Sequence, residues 1–176
     1  MENVTKTYKG TIRLGSKVMV SDPCYGLNTW CQGVLENVLP GTYDCYVEHS
    51  DEGDWGIRVS AIEITHISYK DKPIEYIDPQ DFEVGVDSGQ AGIFDYKYYK
   101  KYHSDAKERP HVDDNWYDTV ADITLSRESA GVLDNASFVC SSGYGDGGYY
   151  CWTADNEDGQ IIHIRVEFIT EDEDED

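Results

Sequence analysis

The sequence is poor in purely apolar aromatic residues and in positive charge. Four Phe and two Met stand against fourteen Tyr and four Trp. Aromatic side chains with a polar tip suit half-buried sheet faces and surfaces that line ligands. There are 14 Lys and Arg against 35 Asp and Glu, which gives a net charge of −21. This charge argues against general attraction to nucleic acid or to an anionic membrane, although it permits imitation of nucleic acid.

Long apolar runs and a secretion signal are also missing. No stretch approaches the roughly 18 apolar residues of a membrane-spanning helix, and the run 2–7 is polar where a signal would be basic and then apolar. The five cysteines form no Cys-x-x-Cys pair, which excludes a zinc ribbon and indicates reduced thiols. We therefore expect a cytoplasmic protein with no cofactor and no membrane partner.

Short β-type segments separated by turn residues dominate what is present. They cover 11–20, 42–48, 55–67, 149–153 and 160–169. Helix is scarce: the best candidate is 116–129, with Asp113 or Asp114 as its N-cap, although its Thr and Ile residues also suit a strand. We predict a mainly β protein, a single-domain β-sandwich or partly open barrel over residues 1–170. An acidic, disordered tail at 171–176 is predicted to follow.

Two hairpin segments resemble one another. In both, a glycine precedes a cysteine by four residues, and that cysteine precedes a turn glycine by eight residues. The matched residues are Gly41, Tyr43, Cys45, Tyr46, Gly53 and 57–59 in the first copy and Gly147, Tyr149, Cys151, Trp152, Gly159 and 164–166 in the second. We predict a pseudo-duplicated β-hairpin whose copies form two halves of one sheet or barrel.

Three polar loops, 21–26, 86–95 and 141–148, carry candidate ligand-binding side chains. These are Ser21, Asp22, Tyr25, Asp87, Ser88, Gln90, Asp95, Ser142, Tyr144 and Asp146. The glycines of the third loop would let its backbone approach a phosphate, but no P-loop Lys-Ser/Thr follows, and a structural role at the start of a hairpin is the simpler interpretation. The loop aspartates offer metal or acid–base chemistry if two loops meet, yet Asp beside Pro, Ser or Gly is also ordinary in turns. We predict no catalytic residue and no metal site.

The segment 96–109 is the main departure from the acidic background. It holds five of the fourteen basic residues, interleaved with Tyr96, Tyr98, Tyr99 and Tyr102. Aromatic faces beside cations stack on and neutralise nucleotides, so Lys100 and Lys101 join the candidate ligand-binding residues. The alternative is that these lysines pair with neighbouring acids on the surface.

The histidines show no metalloprotease spacing. A Cys45–His49 pair stays open as a catalytic alternative, because such partners meet in space. His66 and His163 fall inside strand patterns and are interpreted as hydrogen-bonded sheet residues.

Four motifs together carry a family resemblance. They are Ser21-Asp22-Pro23-Cys24-Tyr25, Pro40-Gly41-x-Tyr43 with Arg58-Val59, 86–91 with Asp95, and Gly145-Asp146-Gly147-x-Tyr149. Over about residues 10–169 the sequence resembles DUF4241, an uncharacterised family of bacterial and phage proteins. The resemblance implies a phage or mobile-element setting in the cytoplasm of a bacterial host.

Three functions fit these observations. The first is a non-catalytic counter-defence inhibitor that binds a host protein through an acidic, nucleic-acid-mimicking surface, without binding nucleic acid itself. The second is a small-molecule sponge for a nucleotide signal, using the polar loops and the Tyr/Lys segment. The third is a metal-dependent hydrolase. A homodimer is compatible with all three if the glycine-rich strand after Gly148 is an edge strand.

Overall fold

The fold is built mainly from antiparallel strands. The computed structural model describes residues 4–27, 29–72, 74, 83–102 and 114–169. Its strands are β1 (Val4–Leu14), β2 (Val18–Ser21), β3 (Gly33–Leu35), β4 (Gly41–Asp51), β5 (Ile57–His66), β6 (Glu83–Val86), β7 (Gln90–Asp95), β8 (Ala130–Leu133), β9 (Ser137–Ser141), β10 (Gly147–Asp155) and β11 (Ile161–Glu167). Its α-helices are α1 (Tyr96–Tyr102) and α2 (Asp114–Thr124).

The strands form two sheets. One has six strands in the order β1-β4-β5-β11-β10-β6, and the other has five in the order β3-β2-β7-β9-β8. Neighbouring strands within both sheets are antiparallel. The predicted mainly β fold is confirmed, and the open sheets are consistent with the β-sandwich rather than the barrel. The acidic tail at 171–176 lies outside the described residues.

The core lies between the two sheets. Ile12, Tyr43 and Ile64 of the six-stranded sheet share one buried cluster with Val20 and Phe138 of the five-stranded sheet. On the opposite face of the five-stranded sheet, Met19 of β2, Phe94 of β7 and Val139 of β9 belong to a second buried cluster. This cluster also includes Tyr99 of α1 and Val120 of α2. The five-stranded sheet is thus covered on both faces, which explains its nearly continuous apolar strands.

Three predicted elements differ from the structure, each for a clear physical reason. The polar loop predicted at 86–95 ends before Gln90, because 90–95 forms β7, which is buried and pairs with both β2 and β9. The segment 11–20 is not one strand: it breaks at 15–17, because β1 and β2 belong to different sheets and the chain crosses between them. The helix predicted at 116–129 is present as α2, although it ends earlier, at Thr124. Val120 and Ile123, three residues apart, both join the second cluster, and this spacing favours helix over strand.

The two predicted hairpins, β4–β5 and β10–β11, lie side by side. Strands β5 and β11 pair with each other, so the hairpins form adjacent halves of the six-stranded sheet. Cys45 and Cys151 are both fully buried at matching positions of the first strands. The predicted arrangement of two similar hairpins within one sheet is therefore present.

The predicted match between the second strands of the hairpins is wrong. Arg165 lies opposite Trp152, whereas Arg58 lies opposite Ser50 near the end of its hairpin. Tyr46 is the residue of the first hairpin that matches Trp152, and Tyr46 pairs with Glu63. Glu63 is therefore the counterpart of Arg165. Pairing in the first hairpin extends further toward its turn, so counting from the turn glycine does not give equivalent positions.

The glycine-rich start of β10 is not a sheet edge. Strand β6 pairs with Gly147–Tyr150 on the side away from β11. The specific edge on which the homodimer expectation rested is therefore occupied within the chain.

The outer face of the six-stranded sheet carries an ion-pair cluster centred on Glu63. Lys6 forms an ion pair with Glu63, and His163 Nε2 lies 3.0 Å from Glu63 Oε2. Thr65 Oγ1 lies 2.6 Å from Nδ1 of His163, so both ring nitrogens are engaged. Arg165 donates two hydrogen bonds to the Glu48 carboxylate, at 2.5 and 3.0 Å. His163 is thus a hydrogen-bonded sheet residue, as predicted.

Glu63 makes the fold sensitive to acid. Burial alone would raise the pKa of its carboxyl, but hydrogen bonds from His163 and Lys6 outweigh burial and lower the pKa below its usual 4.5. A carboxyl whose pKa is lowered by folding stabilises the protein above its unfolded-state pKa. That stabilisation is lost as the pH falls through the folded-state pKa.

We expect Glu63→Gln to reduce the free energy of unfolding at pH 7 by about 2 kcal/mol, because it removes the carboxylate that accepts from Lys6 and from the buried His163 ring. It should also flatten the fall in Tm below about pH 4.5. Urea unfolding at pH 7 and thermal melts from pH 3 to 7 measure both effects. Glu157→Gln, on an exposed turn, is the matched control. Equal stability of the two variants at pH 7 would contradict the prediction.

Candidate functional site

The Asp22 carboxylate joins two of the predicted polar loops. Its Oδ2 accepts hydrogen bonds from the backbone N–H groups of Asp87, at 2.8 Å, and Ser88, at 2.7 Å. Its Oδ1 accepts from the Cys24 N–H, at 2.8 Å, and from the Ser88 hydroxyl, at 2.6 Å. Asp22 itself is fully buried. We call this arrangement the Asp22 junction.

Other predicted residues extend the Asp22 junction. The Ser21 hydroxyl donates to the Asp22 carbonyl oxygen at 2.9 Å. Gln90 donates to the Ser88 hydroxyl oxygen at 3.2 Å and accepts from Thr124 of α2 at 2.7 Å. The structure thus brings together four of the predicted ligand-binding residues, Ser21, Asp22, Ser88 and Gln90. Their polar side-chain atoms, however, form hydrogen bonds within the protein. This geometry supports a structural role for these four residues.

The third polar loop divides between two places. The Ser142 N–H donates to the Gly89 carbonyl at 3.1 Å, which ties the loop to the Asp22 junction. Tyr144 turns to other partners: its hydroxyl donates to Glu52 at 2.7 Å, and the Arg58 guanidinium lies 4.8 Å from the centre of its ring. Tyr144 therefore does not share a site with the other predicted residues.

A cleft of about 380 Å³ opens beside the Asp22 junction, with the carboxylates of Asp87 and Asp146 on its lining. Tyr25 and Trp30 also line it, and we call it the Trp30 cleft. The Tyr25 hydroxyl donates to Asp87 Oδ2 at 2.5 Å. Burial and this hydrogen bond raise the pKa of Tyr25 far above neutral pH, so its hydroxyl is a donor. Three predicted residues, Tyr25, Asp87 and Asp146, thus meet in one cleft.

A second cleft, of about 630 Å³, gathers positive charge. It is lined by Arg13, Lys17 and Lys97, together with Tyr96 and Asp95, and we call it the cationic cleft. The Lys17 ammonium lies 4.1 Å from the centre of the Tyr96 ring. Asp95 Oδ1 accepts the Gly15 N–H at 2.9 Å and so holds the β1–β2 turn against the start of α1. Among the predicted ligand-binding residues whose side chains the structure describes, Asp95 alone lines this cleft.

The structure places Lys100 and Lys101 in α1, but their side chains lie outside what it describes. Residues 103–109, the rest of the predicted basic segment, also lie outside the described residues.

Neither catalytic alternative, a metal site or a Cys45–His49 pair, is supported by the geometry of the described residues. There, His, Cys, Asp and Glu side chains form no group of three or more that could hold a metal ion. Cys45 Sγ lies 3.8 Å from the Tyr43 carbonyl, while His49 Nε2 lies 2.6 Å from the Glu128 carbonyl, so the two residues have separate partners. Burial, followed by the Asp22 carboxylate, raises the pKa of the Cys24 thiol to about 12. A thiol with that pKa is protonated at neutral pH and is a poor nucleophile.

Sequence reasoning missed Trp30, Arg13 and Lys17 as site residues. The two bases flank the Gly15-Ser16 turn, and a turn there was the available signal. Trp30 lies between Pro23 and Pro40, outside every segment that the sequence predicted as strand or helix.

The two sheets and the loops that join them define an open β-sandwich with polar clefts at its strand ends. The chain belongs to DUF4241, a family of proteins of unknown function, whose model matches residues 14–166. No curated protein and no solved structure matches the chain. In the described part of the chain, no helix is long and apolar enough to cross a membrane.

The Asp22 junction should be a stability determinant. We expect Asp22→Asn to reduce the free energy of unfolding by about 3 kcal/mol, because an amide N–H₂ replaces an oxygen that accepts buried donors. Urea denaturation followed by circular dichroism measures the change. Asp146→Asn, the same substitution at an exposed position, is the control and should stay within about 0.5 kcal/mol of the wild type. An Asp22→Asn protein as stable as this control would contradict the structural role.

Proposed function

We propose that this protein is a non-catalytic binding protein whose cationic cleft takes a small anionic ligand, such as a nucleotide signal. In the phage or mobile-element setting that the family suggests, sequestering such a ligand in the host cytoplasm would counter a host defence.

The state of the basic side chains carries this proposal. Elsewhere among the described residues, Lys6, Lys9 and Arg165 each pair with a glutamate, whereas the exposed or half-exposed Arg58, Lys70, Lys72 and Arg127 form no ion pair and are scattered over the surface. Within the described residues, no carboxylate lies within ion-pair distance of Arg13, Lys17 or Lys97. These three bases lie together on one cleft, where Asp95 is the one acidic residue among the described lining residues. The cleft therefore has a local positive field, which favours an anion.

The chemistry of the cationic cleft suits a phosphorylated ligand with an aromatic part. The Arg13 guanidinium can donate two parallel hydrogen bonds to a phosphate, while Lys17 and Lys97 act as point charges. Tyr96 offers a ring beside these charges for stacking against a base. Lys100 and Lys101, further along α1, stay predicted contributors to the same ligand.

We expect the Arg13→Ala, Lys17→Ala double variant to bind a nucleotide at least about tenfold more weakly than the wild type, since two charged hydrogen-bond donors are lost. Isothermal titration calorimetry with a panel of cyclic and linear nucleotides, and with pyrophosphate, measures this. The Lys72→Ala, Arg127→Ala protein is the matched control, because it removes the same two charges from exposed positions outside the cleft. Equal loss in both variants, or no binding by the wild type, would contradict the proposal.

A second candidate function is inhibition of a host protein through an acidic surface that imitates nucleic acid. Exposed carboxylates on the two hairpin turns favour it. They are Asp51, Asp54, Asp155, Glu157 and Asp158. Because β5 and β11 are antiparallel neighbours, these turns lie at opposite ends of the six-stranded sheet and spread negative charge along it.

If the acidic surface imitates nucleic acid, host DNA-binding proteins should bind the immobilised protein at 50 mM salt. They should leave it at 300 mM salt, or on addition of duplex DNA at low salt, because both compete for the same charges. Mass spectrometry of the two eluates identifies the proteins. Proteins that salt releases but DNA does not would argue against imitation of nucleic acid.

A further inference from the structure

The most exposed large apolar side chain on the described surface is that of Trp30, at 93%. Leaving an indole in water forgoes the favourable burial of a large apolar area. Tryptophan is also among the residues that contribute most to binding energy at protein interfaces. An exposed tryptophan beside a cleft is therefore a feature that calls for a partner.

The backbone around Trp30 is held in place by hydrogen bonds. The Thr29 hydroxyl donates to the Gly26 carbonyl at 2.9 Å, and the Gln32 N–H donates to the Thr29 carbonyl at 3.1 Å. The Gly85 N–H of β6 donates to the Cys31 carbonyl at 3.0 Å, which fixes the segment to the sheet. The backbone next to the indole is thus tied to the sheet, so little backbone conformational entropy is lost when a partner binds there.

The other groups of the Trp30 cleft are complementary to a cation. Among the described residues, its charged lining consists of two aspartates, Asp87 and Asp146, both exposed, with no Lys, Arg or His. One wall is formed by Gly147 and Gly148, which have no side chains to fill the space beside the indole. The cleft therefore combines an aromatic face, two carboxylates and open access.

A guanidinium group matches this combination best. Its flat face stacks on an indole, and its edge donates paired hydrogen bonds to a carboxylate. A lysine ammonium offers charge but neither the stacking plane nor the forked donors. The net charge of −21 also favours basic partners over acidic ones during diffusional encounter.

We propose that the Trp30 cleft is the docking site for an arginine side chain of a basic protein partner. This inference rests on the second candidate function in its choice of a protein partner. It does not depend on a ligand in the cationic cleft, which shares no lining residue with the Trp30 cleft.

The experiment is a titration of the whole protein with acetylated, amidated tetra-arginine and tetra-lysine peptides, measured by calorimetry at 50 mM salt. Wild type should bind tetra-arginine more tightly than tetra-lysine. Trp30→Ala should weaken tetra-arginine binding at least about fivefold, with loss of the preference for arginine. The Asp87→Asn, Asp146→Asn variant should weaken binding of both peptides, since it removes the cleft's negative charge.

Trp55→Ala is the matched control, because Trp55 is 69% exposed on the turn between β4 and β5 and does not line the cleft. It should stay within about twofold of the wild type, and Trp30→Tyr should keep most of the affinity because a ring face remains. Thermal melts check that each variant is folded. Trp30 makes no core contact, so Trp30→Ala should melt with the wild type.

Three results would overturn the inference: no peptide binding by the wild type, equal effects of Trp30→Ala and Trp55→Ala, or equal affinity for both peptides. Salt-sensitive peptide binding that ignores Trp30 would leave the acidic-surface function intact while removing this docking site. Nucleotide binding by the cationic cleft is measured in a separate titration. A failure of the nucleotide proposal can therefore be distinguished from a failure of this inference.

Discussion

The arrangement of the polar loops depends on the fully buried carboxylate of Asp22. Asp22 is out of contact with water, and a buried charge is tolerated only when donors surround it. Two backbone N–H groups, at Asp87 and Ser88, are among those that do so. Because the donors come from a loop more than sixty residues away, the carboxylate fixes the position of one loop against the other. The family motifs around Asp22 and Asp87 are thus explained by folding before any ligand is invoked.

The paired strands β2 and β7 connect this junction to the cationic cleft. Ser21, beside the junction, pairs with Gly92 at one end of the ladder, and Val18 pairs with Asp95 at the other. The two places are therefore separated by only a few residues of rigid sheet, roughly 10 Å at the rise of a strand. A shift of register by one residue would disturb both together, since Asp95 would no longer meet the Gly15 N–H.

Local patterns in the sequence predicted the strands of the two hairpins, but they missed β3, β6, β8 and β9, and they placed the buried strand β7 in a polar loop. The sites were predicted only in part. Alternation of apolar residues and turn signals such as Asp158-Gly159 depend on neighbours in the chain, and they predicted the hairpins. The register of the second hairpin strand depends on how far pairing continues toward the turn, which glycine spacing does not report. The cationic cleft joins Arg13 and Lys17 to Lys97, and only the pairing of β2 with β7 brings those segments together.

The pairing of β5 with β11 has a consequence for synthesis of the chain. Ile64 and Ile164 are partners separated by one hundred residues, whereas β4 and β5 close on each other through a short turn. A ribosome adds about 5–20 residues per second, so β5 waits for seconds with one edge unpaired until β11 emerges. That edge is rich in β-branched residues and is a template for intermolecular pairing during this interval. The side-by-side hairpins therefore leave the nascent chain vulnerable to aggregation until β11 pairs with β5.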